Sequence, residues 1–208
     1  MTPFRISVLT LLTLSGAGVL RAQSAPAVAT VAKIEGIVYL NDQPVAQGVE
    51  PIALGEVGRI RTDAGRAVVS LKRSGALVVG DHALVSVWAN GAYNFNTIEL
   101  LAGSAVVVSA QGSPLVACGT DVRLSSAGVF RFDVQTPEPI DGSTRCGFRV
   151  YEGAGTTPGP SATYILRAGE RMTLNRRAGD MIPVLAFSSA DLDDFDRWSR
   201  QQAAISVR

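Results

Sequence analysis

Histidine and cysteine are the scarcest chemistry-bearing residues in this chain. A single histidine, His82, excludes metal sites built from several imidazoles. The two cysteines, Cys118 and Cys146, are too few for a scaffold that depends on disulfides. Net charge is missing as well. Nineteen basic residues face 18 acidic ones, a formal charge of +1, whereas nucleic-acid binding needs a basic face; no nucleic-acid partner is expected. The mature chain holds no Gly-x-Ser-x-Gly elbow and no glycine-rich phosphate loop. Asp81 and His82 adjoin, but no third catalytic partner can be nominated, and no carboxylate pair stands out for glycoside hydrolysis. No catalytic residue, metal ligand or cofactor is assigned, and the chain is expected not to be an enzyme. Apolar residues, by contrast, make up 47% of the chain, enough for a packed core in a single domain.

The N-terminus reads as a targeting segment. Arg5 precedes the mostly apolar stretch Ile6 to Leu20, and Ala22 offers a small residue before the polar Gln23-Ser24. This is the layout of a secretory signal peptide over residues 1–22, with cleavage after Ala25 as the alternative. The stretch is shorter than the roughly 18 to 20 residues that span a bilayer. No later run is apolar enough to cross, so no stable membrane span is expected after cleavage. Removing residues 1–22 takes Arg5 and Arg21 and no acid, leaving 17 basic against 18 acidic residues. A nearly neutral periplasmic or secreted protein is expected.

Residues 23–29 form a flexible lead. Residues 30–176 read as a β domain. β-Branched residues at near-period-two spacing run from Thr30 to Leu40, and Asn41-Asp42-Gln43-Pro44 is turn chemistry. Strands are predicted at Val57–Thr62 and Ala67–Leu71, separated by a turn at Asp63-Ala64-Gly65. Further strands follow at Ala76–Val79, Ala83–Trp88, Thr97–Leu101, Ser104–Val108, Leu115–Cys118, Asp121–Leu124, Val129–Val134, Phe148–Tyr151, Tyr164–Arg167 and Arg171–Leu174. Asn90-Gly91 is the strongest hairpin signal. Arg131 and Asp133 alternate with apolar neighbours, which predicts a wet face there. A loose echo joins Leu100–Val106, Val150–Thr156 and Leu166–Met172: in each a strand ends, a glycine allows a sharp bend, and another strand begins. The expected fold is all-β, a β-solenoid-like or rolled sheet of short strands, with one C-terminal helix.

The helix is expected at about 189–203, within an extension covering 177–208. Ser188-Ser189-Ala190-Asp191 fits a capping box. Leu192, Phe195 and Trp198 share a stripe, and Trp198 is expected to hold the helix on the β body. The acids from Asp191 to Asp196 suit a solvated helix start, since helical spacing splays them where calcium needs convergent oxygens. Cys118 and Cys146 flank strands 28 positions apart, and in an oxidising compartment they are expected to form a disulfide. Trp88, Tyr93 and Phe95 cluster around the Asn90-Gly91 turn; they either cap the core or form a binding patch for a sugar or a protein.

The order of the elements carries a resemblance. Leu54–Thr62, Gly65–Leu71, Leu77–Val79 and Leu100–Val106 are followed by Cys118-Gly119-Thr120-Asp121, then Val150-Tyr151-Glu152-Gly153 and Leu166–Glu170. This series, over about residues 31 to 174, resembles the FecR-like domain, named after a periplasmic regulator of ferric-citrate uptake. Arg73-Ser74-Gly75 stands where the family usually has Asp-Gly-Ser. Family regulators add a cytoplasmic segment, a membrane helix and often a further domain; this sequence shows no counterpart, so an exported stand-alone module is expected. The resemblance implies a β module used in protein contact, with an envelope protein as partner, and no catalytic residue to carry over. A glycan or cell-wall binding module and a structural envelope component are the alternatives.

Overall fold

In the computed structural model, residues 29–72, 74–90, 95–110, 115–135, 145–159, 161–175, 183–188 and 191–206 are described. Among them the chain is overwhelmingly strand, closed by one helix. Three strands organise everything else: β1 (Ala29–Leu40), β4 (Val57–Leu71) and β7 (Phe95–Ser109). β2 (Gln43–Val45) and β3 (Ile52–Leu54) lie along the outer edge of β1. Between the long strands sit β5 (Gly75–Val79) and β6 (Leu84–Asn90).

Each half of a long strand takes different partners. Residues 67–71 of β4 pair with β5, and residues 57–61 pair with β6. On β7, residues 105–109 pair with β5 and residues 95–102 with β6. The split continues outward. β10 (Gly128–Gln135), β11 (Arg145–Glu152), β14 (Glu170–Asn175) and β15 (Leu185–Ala186) extend the first layer. β8 (Leu115–Cys118), β9 (Thr120–Leu124), β12 (Ala154–Pro158) and β13 (Thr163–Arg167) extend the second. The inner faces of both layers feed one core. Val69, Leu77, Val107, Phe132 and Phe148 enter it from the first layer, and Ile60, Val87, Ile98, Val116 and Leu166 from the second.

Glycine makes the crossings between layers possible. Gly103, Gly153 and Gly169, the glycines aligned in the sequence echo, have left-handed φ angles of 75°, 85° and 84°. At Gly103 a Cβ would lie 2.6 Å from the Ala83 backbone. The turn predicted at Asp63-Ala64-Gly65 is not a reversal. β4 runs straight through it, because Gly65 packs against Gly36 of β1 across a bulge. A Cβ on Gly65 would come within 2.6 Å of the Ile37 backbone. The two glycines let both strands bend together, where a turn would have ended the pairing.

Cys118, at the end of β8, is bonded to Cys146 of β11, with Cα atoms 5.8 Å apart. The disulfide ties the second layer to the first through the core, in which both residues are buried. Phe148 stacks on Phe132 at 4.8 Å between ring centroids. Gly155 makes room for that ring: a Cβ there would lie 2.7 Å from Phe148 Cζ.

The helix α1 runs over Asp194–Ser206, later than the expected 189–203. Asp193, not Ser188, caps it. The Asp196 N–H donates to Asp193 Oδ1 at 2.9 Å, and the Asp193 N–H donates to Asp196 Oδ2 at 3.2 Å. This is a capping box built from two aspartates. Asp191 accepts from the Ser188 N–H at 3.2 Å in a separate turn upstream, which is what the Ser188–Asp191 spacing encoded. α1 lies on the outer face of the first layer, where Phe195 and Trp198 cover Val78, Val106, Val108 and Val129.

Candidate interaction surface

The two outer faces differ in what covers them. α1 covers part of the first, and no helix among the described residues covers the second. Strand register aligns seven side chains across the second face in one row: Val57, Trp88, Thr97, Leu115, Arg123, Thr156 and Ile165. Their inward neighbours are core residues such as Val87, Ile98 and Val116, so the row points away from the core by simple alternation. Val57 is 60% exposed at one end and Ile165 is 53% exposed at the other. At neighbouring strand spacings of roughly 4.8 Å, the row spans most of the face, with Thr97 near its middle buried at 4% exposure. Two further exposed apolar residues, Ile37 and Leu101, lie where β1 and β7 bend. Beside the row from Val57 to Ile165, Arg59, Ser86, Glu99, Ala117 and Asp121 form a parallel row that is polar but for Ala117. A cleft of about 290 Å³ opens between Glu99, Leu101, Ala117 and Asp121.

Of the three aromatics read as either core caps or a binding patch, Trp88 is half-buried in the row from Val57 to Ile165. Phe95 pairs with Asn90 at the start of β7. Tyr93 lies outside the described residues. Gly91, of the Asn90-Gly91 signal, lies outside the described residues as well. His82 occupies a turn with φ 50°, its N–H donating to the Asp63 carbonyl at 2.8 Å. Among the described residues no group of three or more His, Cys, Asp or Glu could hold a metal ion, and no helix is long and apolar enough to cross a membrane.

The covered face holds an ion cluster that was not foreseen. Arg131, expected on a wet face, is 7% exposed under α1. Its Nε meets Asp133 Oδ1 at 2.8 Å. Its Nη1 meets Asp193 Oδ2 at 2.7 Å and Asp196 Oδ2 at 2.8 Å. Burial opposes the charge on Arg131, but Asp133 and the hydrogen bonds to Asp193 and Asp196 outweigh it and raise its pKa further. The Tyr151 hydroxyl donates to Asp196 Oδ1 at 2.8 Å; burial, then that bond, push the tyrosine to about 12. Burial works to raise the Asp193 carboxyl, yet the Asp196 N–H and Arg131 hold it below the ordinary range. The two acids read as a solvated helix start are therefore the helix's polar attachment, and Asp196 is 1% exposed. The uninterrupted apolar runs Ala76–Val79 and Ala105–Val108 carried a signal for this cover, since strands buried on both faces lose their alternation.

No family model and no curated protein match the chain. Two crystal structures from Parabacteroides distasonis ATCC 8503, each described as a "putative anti-sigma factor", are similar to the chain, and the first of them shares its fold. The first is 14% identical with a TM-score of 0.50 and covers 64% of this chain and 61% of its own. The other is 14% identical with a TM-score of 0.47 and covers 63% and 60%. The chain spans about three-fifths of the length of the structures it matches.

Proposed function

We propose that this protein is an exported, non-enzymatic module of FecR-like type that acts by protein contact in the cell envelope, and that the outer face of the second layer, which no helix among the described residues covers, is its contact surface. The observation that carries this reading is the row from Val57 to Ile165. Its two ends are exposed aliphatic side chains held at fixed spacing on a rigid sheet, and one half-buried tryptophan lies between them. Interfaces draw most of their energy from a few residues, tryptophan and arginine prominent among them, and the row holds Trp88 and Arg123. The fold shared with a structure described as an anti-sigma factor fits a role in protein contact, and the disulfide fits an oxidising compartment. A glycan-binding reading rests on Trp88, which could stack on a sugar ring.

Co-purification from the producing organism tests the reading. The exported protein should bring down one stoichiometric protein. Val57→Asp combined with Ile165→Asp should remove it while leaving the unfolding midpoint unchanged, because both sites are exposed. Recovery of polysaccharide would favour the glycan module, and recovery of ordered self-assemblies a structural component. Retention of the partner by the double variant would contradict the assigned surface.

A further inference from the structure

A second site lies on the first layer, beyond the edge of α1. Cross-strand register places three arginines side by side on its outer face: Arg131 opposite Arg149, and Arg149 opposite Arg171. Like charges directly opposite one another destabilise a sheet unless something compensates them. Compensation is uneven here. Asp133, Asp193 and Asp196 all converge on Arg131. Arg149 has Asp133 Oδ2 only at 4.0 Å and the Tyr151 hydroxyl beside it. Arg171 has no carboxylate partner among the described residues. Positive charge is thus left over at one end of the row.

The next row of the same face explains where that charge points. It reads Asp133, Gly147, Thr173. Gly147 has neither a left-handed φ nor a crowded Cβ position: the nearest atom to an added Cβ is Asp133 Cβ at 3.7 Å, an ordinary contact. Neither backbone nor packing requires glycine. What the missing side chain does is leave the floor open in a cleft of about 300 Å³, lined by Arg149, Arg171 and Thr173 and walled by Pro183 and Leu185. That volume lies at the small end of the range for ligand sites.

We propose that this cleft binds a small organic oxyanion, with its charged end between Arg149 and Arg171 over Gly147 and its apolar body along Pro183 and Leu185. Guanidinium groups match carboxylate and phosphate geometry with paired N–H donors, and the Thr173 hydroxyl supplies another donor. Asp133 lines the same cleft, with its carboxylate engaged by Arg131 at 2.8 Å.

The test is a titration of the full exported chain with benzoate and, separately, with phenyl phosphate, in low-chloride buffer. It follows the Arg149 and Arg171 side-chain N–H signals by NMR. Both signals should shift and saturate with one of the probes. Tighter binding of benzoate identifies a carboxylate site, and tighter binding of phenyl phosphate a phosphate site. Arg171→Gln and Gly147→Val should each weaken binding at least tenfold, with the unfolding midpoint unchanged for Gly147→Val. Should the valine prove too large to fold, Gly147→Ala together with Arg171→Lys, which keeps the charge and loses the fork, must still weaken binding. Shifts that never saturate with either probe, or variants that bind like the parent, would overturn the proposal.

Discussion

At the scale of single residues, the ion cluster under α1 separates charges that matter from charges that do not. Asp196 and Arg131 are both buried, so removing Arg131 leaves the Asp196 carboxylate in a dry setting with its hydrogen bonds from the Tyr151 hydroxyl and the Asp193 N–H but without the charge that balances it. Arg131→Ala should cost about 3 to 5 kcal/mol, read by chemical denaturation. Asp193 has its side chain 49% exposed, and Asp193→Asn should cost no more than about 1 kcal/mol at neutral pH. The pH dependence has a definite sign. The Asp193 pKa is lowered in the folded state, so its contribution is present above the unfolded carboxyl pKa, near 3.9, and disappears as pH falls through the lower folded value. Stability measured through that window should fall less steeply for Asp193→Asn than for the parent. An identical slope would show that the carboxylate does not couple to folding.

At the scale of elements, the helix and the layer crossings each give a discriminating measurement. Phe195 is 7% exposed and stacks with Trp198, whose ring also lies 5.2 Å from the Arg66 guanidinium. The buried ring is the stronger attachment. Phe195→Ala should cost about 3 kcal/mol and Trp198→Ala, half-buried, less, with protease cleavage ahead of the helix rising in the same order. At the crossings, Gly103→Ala should be worse than Gly169→Ala. Both face the strain of a left-handed φ, but nothing lies within 4 Å of an added Cβ at Gly169, while at Gly103 the Ala83 backbone blocks it. Thermal unfolding of the two variants decides this, and equal losses would mean that backbone strain alone sets the cost. The crossings were legible in the sequence because each is a glycine between two strand-like runs. Gly65 misled because a glycine-bearing bulge and a turn share composition; only its neighbour Gly36, distant in sequence, distinguishes them. The helix was legible as a stripe, but its start was displaced because two capping patterns overlap and Asp193 has a buried arginine to meet. Arg131 was read as wet for the same reason: periodicity reports alternation within a strand and carries no information about what later folds over it.

At the scale of the whole molecule, two layers share one core, and the Cys118–Cys146 bond joins them. It closes a loop of 28 residues, for which chain entropy gives roughly 3 to 4 kcal/mol. Replacing both cysteines by alanine should lower stability by about that amount; a much smaller loss would mean that the core alone holds the layers together. The pairing was legible from the flanking strands and the expected export. The row on the second face was not, because its members come from strands whose neighbours are set by the long-range register. The central claim is that the outer face of the second layer, and not the helix-bearing side, meets the partner. The most direct measurement places a photo-crosslinking residue at Ile165 or at Arg197, on the exposed side of α1, and irradiates the producing cells. A single protein adduct from position 165 and none from position 197 is the predicted result. Adducts from position 197 alone would contradict it.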